Sequence, residues 1–151
     1  MIRFHRRGAL VTLVAAATLL AAGCGMMRPA DSNMVAFTTQ LRGANEVPPV
    51  ASAGSGQVDA VLNKETNVLR WKLSYTGLTG PATAGHFHGP AAVGANAGVV
   101  LPFPGRPTSP MEGSATLTPA QAADLMAGRW YANVHTAAFP GGEIRGQMTS
   151  R

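Results

Sequence analysis

One cysteine, Cys24, is all that the 151-residue chain contains. No intramolecular disulfide can form, so an apolar core has to hold the fold, which a single domain of this length can build. Acidic side chains are scarce as well, with seven Asp and Glu in total. No two of them have the arrangement of a glycosidase pair. There is no Gly-x-Ser-x-Gly elbow, no phosphate-binding loop and no dinucleotide fingerprint. No basic run interleaved with aromatic residues occurs, so no nucleic-acid partner is expected. The longest apolar run, residues 9–22, is interrupted only by Thr12 and Thr18. It falls short of the roughly 20 residues that a spanning helix needs. No internal repeat is visible.

The start of the chain has the pattern of an export signal. Arg3, Arg6 and Arg7 precede the apolar run, and Ala21-Ala22-Gly23-Cys24 closes it. A positive segment, an apolar segment and small residues at a cleavage point form a secretory signal. The last four residues resemble the lipobox of bacterial lipoproteins, in which the cysteine is lipidated and becomes the mature N-terminus. The match is imperfect, since Leu20 stands one place before the position where the lipobox has leucine. An ordinary secretory peptide cut nearby is the alternative. Lipidation would remove a lone free thiol from an oxidising compartment. The expectation is a signal over residues 1–23, a lipid on Cys24 and a membrane anchor, in the outer membrane if the cell has one. The chain has 12 basic residues, and the signal holds three of them and no acidic one, which leaves nine against seven, or +2, for the remainder. The high isoelectric point therefore says little about partners.

Residues 24–36 are small, polar and without period, and are expected to form a tether. From residue 37 onward the pattern is that of short strands. Leu69, Trp71, Leu73 and Tyr75 alternate with Arg70, Lys72, Ser74 and Thr76, a period of two with one apolar face. Residues 56–62 alternate too, and the polar stretch 63–67 makes the two runs a hairpin. Further strands are expected at 36–42, 82–88, 98–103, 113–117, 129–135 and 143–149. One short helix is signalled by Thr118 as cap, Pro119 at the first helical position and Gly128 at the end. The expected fold is all-β, an antiparallel Greek-key sandwich or barrel of about eight strands with one short helix.

His86 and His88 are two apart on a strand, so both rings lie on one face with Cα atoms about 6–7 Å apart. Tyr131, Asn133 and His135 share a face of another strand. If the strands are neighbours, three imidazoles can converge on one copper or zinc ion. A purely structural hydrogen-bonded cluster is the alternative, with Glu46, Asp124 or Glu143 as acceptors. Glu143, Arg145 and Gln147 fall on one face of the last strand. Glu143 is a candidate acceptor for a histidine behind the metal. Arg145 can bind a carboxylate or pair internally with Glu46 or Glu143. Glu46 is expected near the histidines across the sheet, and Pro48-Pro49 excludes a central strand there.

Four ordered blocks carry a resemblance. They are Leu41-Arg42-Gly43-Ala44-Asn45-Glu46-Val47-Pro48-Pro49, Gly85-His86-Phe87-His88-Gly89-Pro90-Ala91, Tyr131-Ala132-Asn133-Val134-His135-Thr136 and Pro140-Gly141-Gly142-Glu143-Ile144-Arg145-Gly146-Gln147. Together they resemble the CHRD domain, first described in chordin and found in many bacterial secreted proteins, here over residues 37–151 in a bacterial lipoprotein form. The resemblance implies a β-sandwich, an extracellular setting and an interaction or structural role, with no established reaction. The His-x-His pair and later third histidine are also similar to copper–zinc superoxide dismutase. The chain departs from that enzyme in lacking the disulfide, a fourth copper-site histidine and the histidine-rich zinc loop.

The expectation is thus a lipid-anchored protein of the cell envelope or periplasm, a binding or structural module rather than an enzyme. His86, His88 and His135 are its candidate metal ligands for one copper or zinc ion, with Glu46, Asn133, Glu143 and Arg145 around them. An envelope or extracellular protein is the expected partner besides the membrane. A dismutase-like metalloenzyme using the same histidines is the alternative.

Overall fold

A computed structural model describes residues 33–151. The signal segment, Cys24 and the tether up to residue 32 lie outside the described residues. The described residues form nine strands: β1 Met34–Arg42, β2 Ser55–Asn63, β3 Val68–Thr76, β4 Ala82–His88, β5 Val99–Pro102, β6 Met111–Thr116, β7 Tyr131–Thr136, β8 Ile144–Gln147 and β9 Thr149–Ser150. Among the described residues one α-helix, α1, spans Pro119–Met126, and a single 3-10 turn spans Gly43–Asn45. β1 starts at Met34, so the last residues expected in the tether are already strand.

All pairs are antiparallel and belong to one sheet, in the order β5-β4-β7-β8-β1-β2-β3-β6, with short β9 also on β1. The sheet is curled into a half-barrel, and chain length shows why. Only residues 77–81 join β3 to β4, which stand five strand spacings apart in the sheet order. A flat sheet would separate them by about 24 Å, whereas that connection reaches about 20 Å when fully extended. Curling brings the two strands face to face across the interior.

The interior is apolar because alternation sends one set of side chains there. Phe37 and Leu41 of β1, Val58, Ala60 and Leu62 of β2, and Leu69, Trp71 and Leu73 of β3 are all buried. The Trp71 ring meets Phe87 of β4 edge-on, with centroids 5.6 Å apart, and stacks on Phe103 at 6.0 Å. Phe87 also meets Phe103 at 5.0 Å and Trp130 at 5.7 Å. Burying each such ring stabilises the fold by about 1.5–3 kcal/mol, and this cluster joins the two halves of the curl. α1 closes the core with Ala122 and Leu125. Its start is the capping box expected from Thr118: Thr118 Oγ1 accepts from Gln121 N, and Gln121 Oε1 accepts from Thr118 N. Gly128, with φ 69°, follows its end.

The strand expected over 143–149 is broken. Met148 is fully buried and its N–H donates to Trp130 O at 2.9 Å. β8 pairs with β7 and, at Arg145–Arg42, with β1, and β9 continues on β1 in the same register.

β7 is buried on both faces. Ala132 and Val134 face the core. Its other face carries Tyr131, Asn133 and His135, all at most 8% exposed. This second face holds the site.

Candidate functional site

Register assembles the site. In the β4–β7 pair His86 is opposite Asn133 and His88 opposite Tyr131. In the β7–β8 pair Asn133 is opposite Arg145 and Tyr131 opposite Gln147. Two rows of side chains therefore cross three strands, His86–Asn133–Arg145 and His88–Tyr131–Gln147. His135 lies one step beyond, opposite Ala84.

The three histidines do converge. Each offers a ring nitrogen lying within 4.8 Å of those of the other two. His86 Nδ1 is 3.1 Å from His135 Nε2. Tetrahedral ligands with metal–nitrogen bonds of about 2.0–2.1 Å stand about 3.3 Å from one another. Two of the three atoms are thus already at a ligand spacing, and the third lies within 4.8 Å of both.

Backbone carbonyls fix the tautomers. His135 Nδ1 is 2.8 Å from Pro140 O, and His88 Nδ1 is 3.0 Å from Ala97 O. A carbonyl only accepts, so both Nδ1 atoms carry the proton and both Nε2 atoms present lone pairs. Asn133 Oδ1 lies 3.0 Å from each of those lone pairs. Oxygen and bare nitrogen are both acceptors there. His86 Nδ1–H can donate to the bare His135 Nε2; the clash that remains at Asn133 Oδ1 is relieved when its amide turns so that Nδ2 donates, or when a cation takes the lone pairs.

Burial disfavours the charged forms of His86 and His88. It lowers the pKa of His86 to about 4, with further lowering from His135 and His88. Burial also lowers that of His88, against the raising effect of its bonds to Ala97 and Asn133. Tyr131 stacks flat on His88 at 4.7 Å, and the Arg145 guanidinium lies 3.4 Å above the Tyr131 ring.

The carboxylates are not where sequence reasoning put them. Glu143 belongs to none of the histidine rings. It is fully buried and accepts from Ser52 Oγ, Thr79 N, Thr79 Oγ1 and Thr136 Oγ1 at 2.6–2.9 Å. Burial alone would raise its pKa, but the bonds from Ser52, Thr136 and Thr79 outweigh that and lower it. The alternation that grouped Glu143 with Arg145 starts only at Ile144, where β8 begins. Glu46 comes closer. A side chain on Gly142 (φ 132°) would run into Glu46 Oε1 and approach Asn133 Nδ2 to 2.8 Å, so glycine there leaves room for both. Yet no hydrogen bond of the three rings goes to Glu46, whose Oε1 is buried without a partner among the described residues. Asp124 pairs with Arg129 instead.

Arg145 makes no ion pair among the described residues. Its Nη1 donates to Asn96 Oδ1 at 2.7 Å and its Nη2 to Ala95 O at 2.5 Å. Both partners lie on the segment that covers this face after β4. Tyr131, Asn96 and the carbonyls of Ala97 and Pro140 were missed by sequence reasoning. Only Tyr131 left a signal, by sharing the face of Asn133 and His135.

The family model of the CHRD domain matches residues 37–148. The chain belongs to the CHRD family. No curated protein and no solved structure matches it. The match runs from within β1 to the end of β8, so the histidine cluster, Arg145 and the loops over them are parts of one CHRD domain.

Proposed function

We propose that the protein is an exported, lipid-anchored component of the cell envelope, whose CHRD domain is a non-enzymatic binding module with one copper or zinc ion on His86, His88 and His135. The tautomers carry the metal reading. Two histidines give their Nδ1 protons to carbonyls and aim bare Nε2 atoms toward one place, beside His86 Nδ1. Carbonyl acceptors behind the ligating rings are the usual support of a metal site. CHRD membership supports the binding or structural role, and the signal and lipobox pattern supports export and the anchor.

His86 is the least buried of the three rings, which gives the cluster one open side and keeps a dismutase-like alternative in view. Against it, the cluster has three histidines and no carboxylate, and Glu143 is occupied elsewhere.

Copper and zinc binding by the purified full chain, beside a His86→Ala/His88→Ala variant, tests the reading. One equivalent bound with a Kd near or below about 1 μM, lost in the variant, is the expected result. If neither protein binds and the variant only melts earlier, the cluster is structural. Superoxide turnover by the metal-loaded chain would replace the binding module with the enzyme. Lipidation is checked separately, by the mass of the mature N-terminus with and without Cys24→Ser.

A further inference from the structure

The fold leaves a second feature that the histidines do not use. A cavity of about 400 Å³ is lined by Ala44, Glu46, Val47, Pro49, Val93 and Arg145, among others. That size suits a small organic ligand.

The wall contains a buried guanidinium with no ion pair among the described residues, held instead over the Tyr131 ring. Arg145 is 2% exposed, and the ion pairs among the described residues are Lys72–Glu112, Arg129–Asp124 and Arg151–Asp59. A buried ion without a partner is costly. Two of the five N–H donors of Arg145 are taken, by Asn96 and Ala95, which leaves three. Below about pH 7 Glu46, the acid on the same wall, does not cancel the charge. Its burial raises its pKa to about 7, against the pull of Arg145 and the Val47 N–H, so below that pH it is neutral and does not repel an anion. Gln147, also on the wall, has both amide hydrogens committed, to Ala91 O and Gly128 O. Ala44, Val47, Pro49 and Val93 supply the apolar part.

We infer that this cavity binds a small carboxylic acid as its anion, with the carboxylate on the free donors of Arg145 and a short branched apolar body against Ala44, Val47, Pro49 and Val93. A guanidinium suits this because its planar fork matches a carboxylate with two parallel bonds. The inference uses none of the three histidines, so it stands or falls apart from metal binding.

The test is an amide NMR titration of the full chain with isovalerate, and with isovaleramide as the uncharged control. Isovalerate should give saturable shifts at residues 44–47 and 93–94 with a Kd on the order of 1 mM, and the amide none. Arg145→Gln should abolish binding. Because Arg145 is buried and that variant can lose its fold, Val93→Glu is the second arm. Val93 is 81% exposed, so the fold should persist while a carboxylate at the cavity weakens isovalerate by about tenfold through like-charge repulsion. Absence of saturable shifts, equal shifts from the amide, or unchanged affinity in Val93→Glu would overturn the inference. Tighter binding of acetyl-leucine than of isovalerate would overturn the free-acid assignment in favour of a peptide C-terminus.

Discussion

Glu46 sits in a cavity wall with one oxygen unpartnered, and its burial raises its pKa from 4.5 to about 7. The folded protein therefore holds this proton where the unfolded chain releases it. Stability from this group is fully present below pH 4.5 and declines as pH rises to about 7. Glu46→Gln removes the effect. Urea unfolding of the two proteins should agree near pH 4, and above pH 7 the variant should be more stable by roughly 2–3 kcal/mol. Parallel curves across this range would show that the Glu46 carboxyl is solvated. The neighbouring histidine pattern was legible at this scale. His-x-His on an alternating strand places both rings on one face whatever the rest of the fold does. Tautomers were not legible, because Pro140 O and Ala97 O are backbone atoms and every residue but their position is irrelevant to them.

Among the elements, β2, β3 and their hairpin follow from alternation, since each has one face in the core and one toward solvent. α1 follows from its cap. Thr118→Ala should lower stability by about 1 kcal/mol, read as a lower urea midpoint, since both capping-box bonds depend on Thr118 adopting the cap geometry. A variant as stable as the parent would mean that packing of Ala122 and Leu125 alone sets the helix. The last strand was read as one element and is two. The break is one residue, Met148, which is buried and whose N–H still bonds Trp130 O one step beyond the β7–β8 pair. β7 defeats simple alternation in another way. Its polar face is as buried as its apolar one, because the segments after β4 and β7 fold back over it.

For the whole molecule, the absence of a disulfide raises the question of what fastens its connections. Glu143 supplies part of the answer. It joins Ser52 ahead of β2, Thr79 between β3 and β4, and Thr136 at the end of β7, tying the ends of the curl that are distant in sequence. Glu143→Gln places an amide among donors and should cost roughly 2–3 kcal/mol at neutral pH, measured by urea unfolding. Its lowered pKa adds a direction: the stabilisation is present above pH 4.5 and is lost as pH falls below it. The gap between parent and variant should therefore narrow in acid. A gap independent of pH would mean that size and shape matter at this position rather than charge.

The sequence by itself determined the all-β class, the short capped helix, the family blocks and the shared face of His86 and His88, because period, capping and spacing are local properties of the chain. Only the tertiary structure decided that β4 lies beside β7, so that His135 joins the pair, and that Glu143 serves the connections rather than the histidines. It also decided that Arg145 is buried with no ion pair among the described residues. Each of these depends on which distant segments a curled sheet brings together, and the five residues between β3 and β4 impose that curl through a distance that no local pattern records.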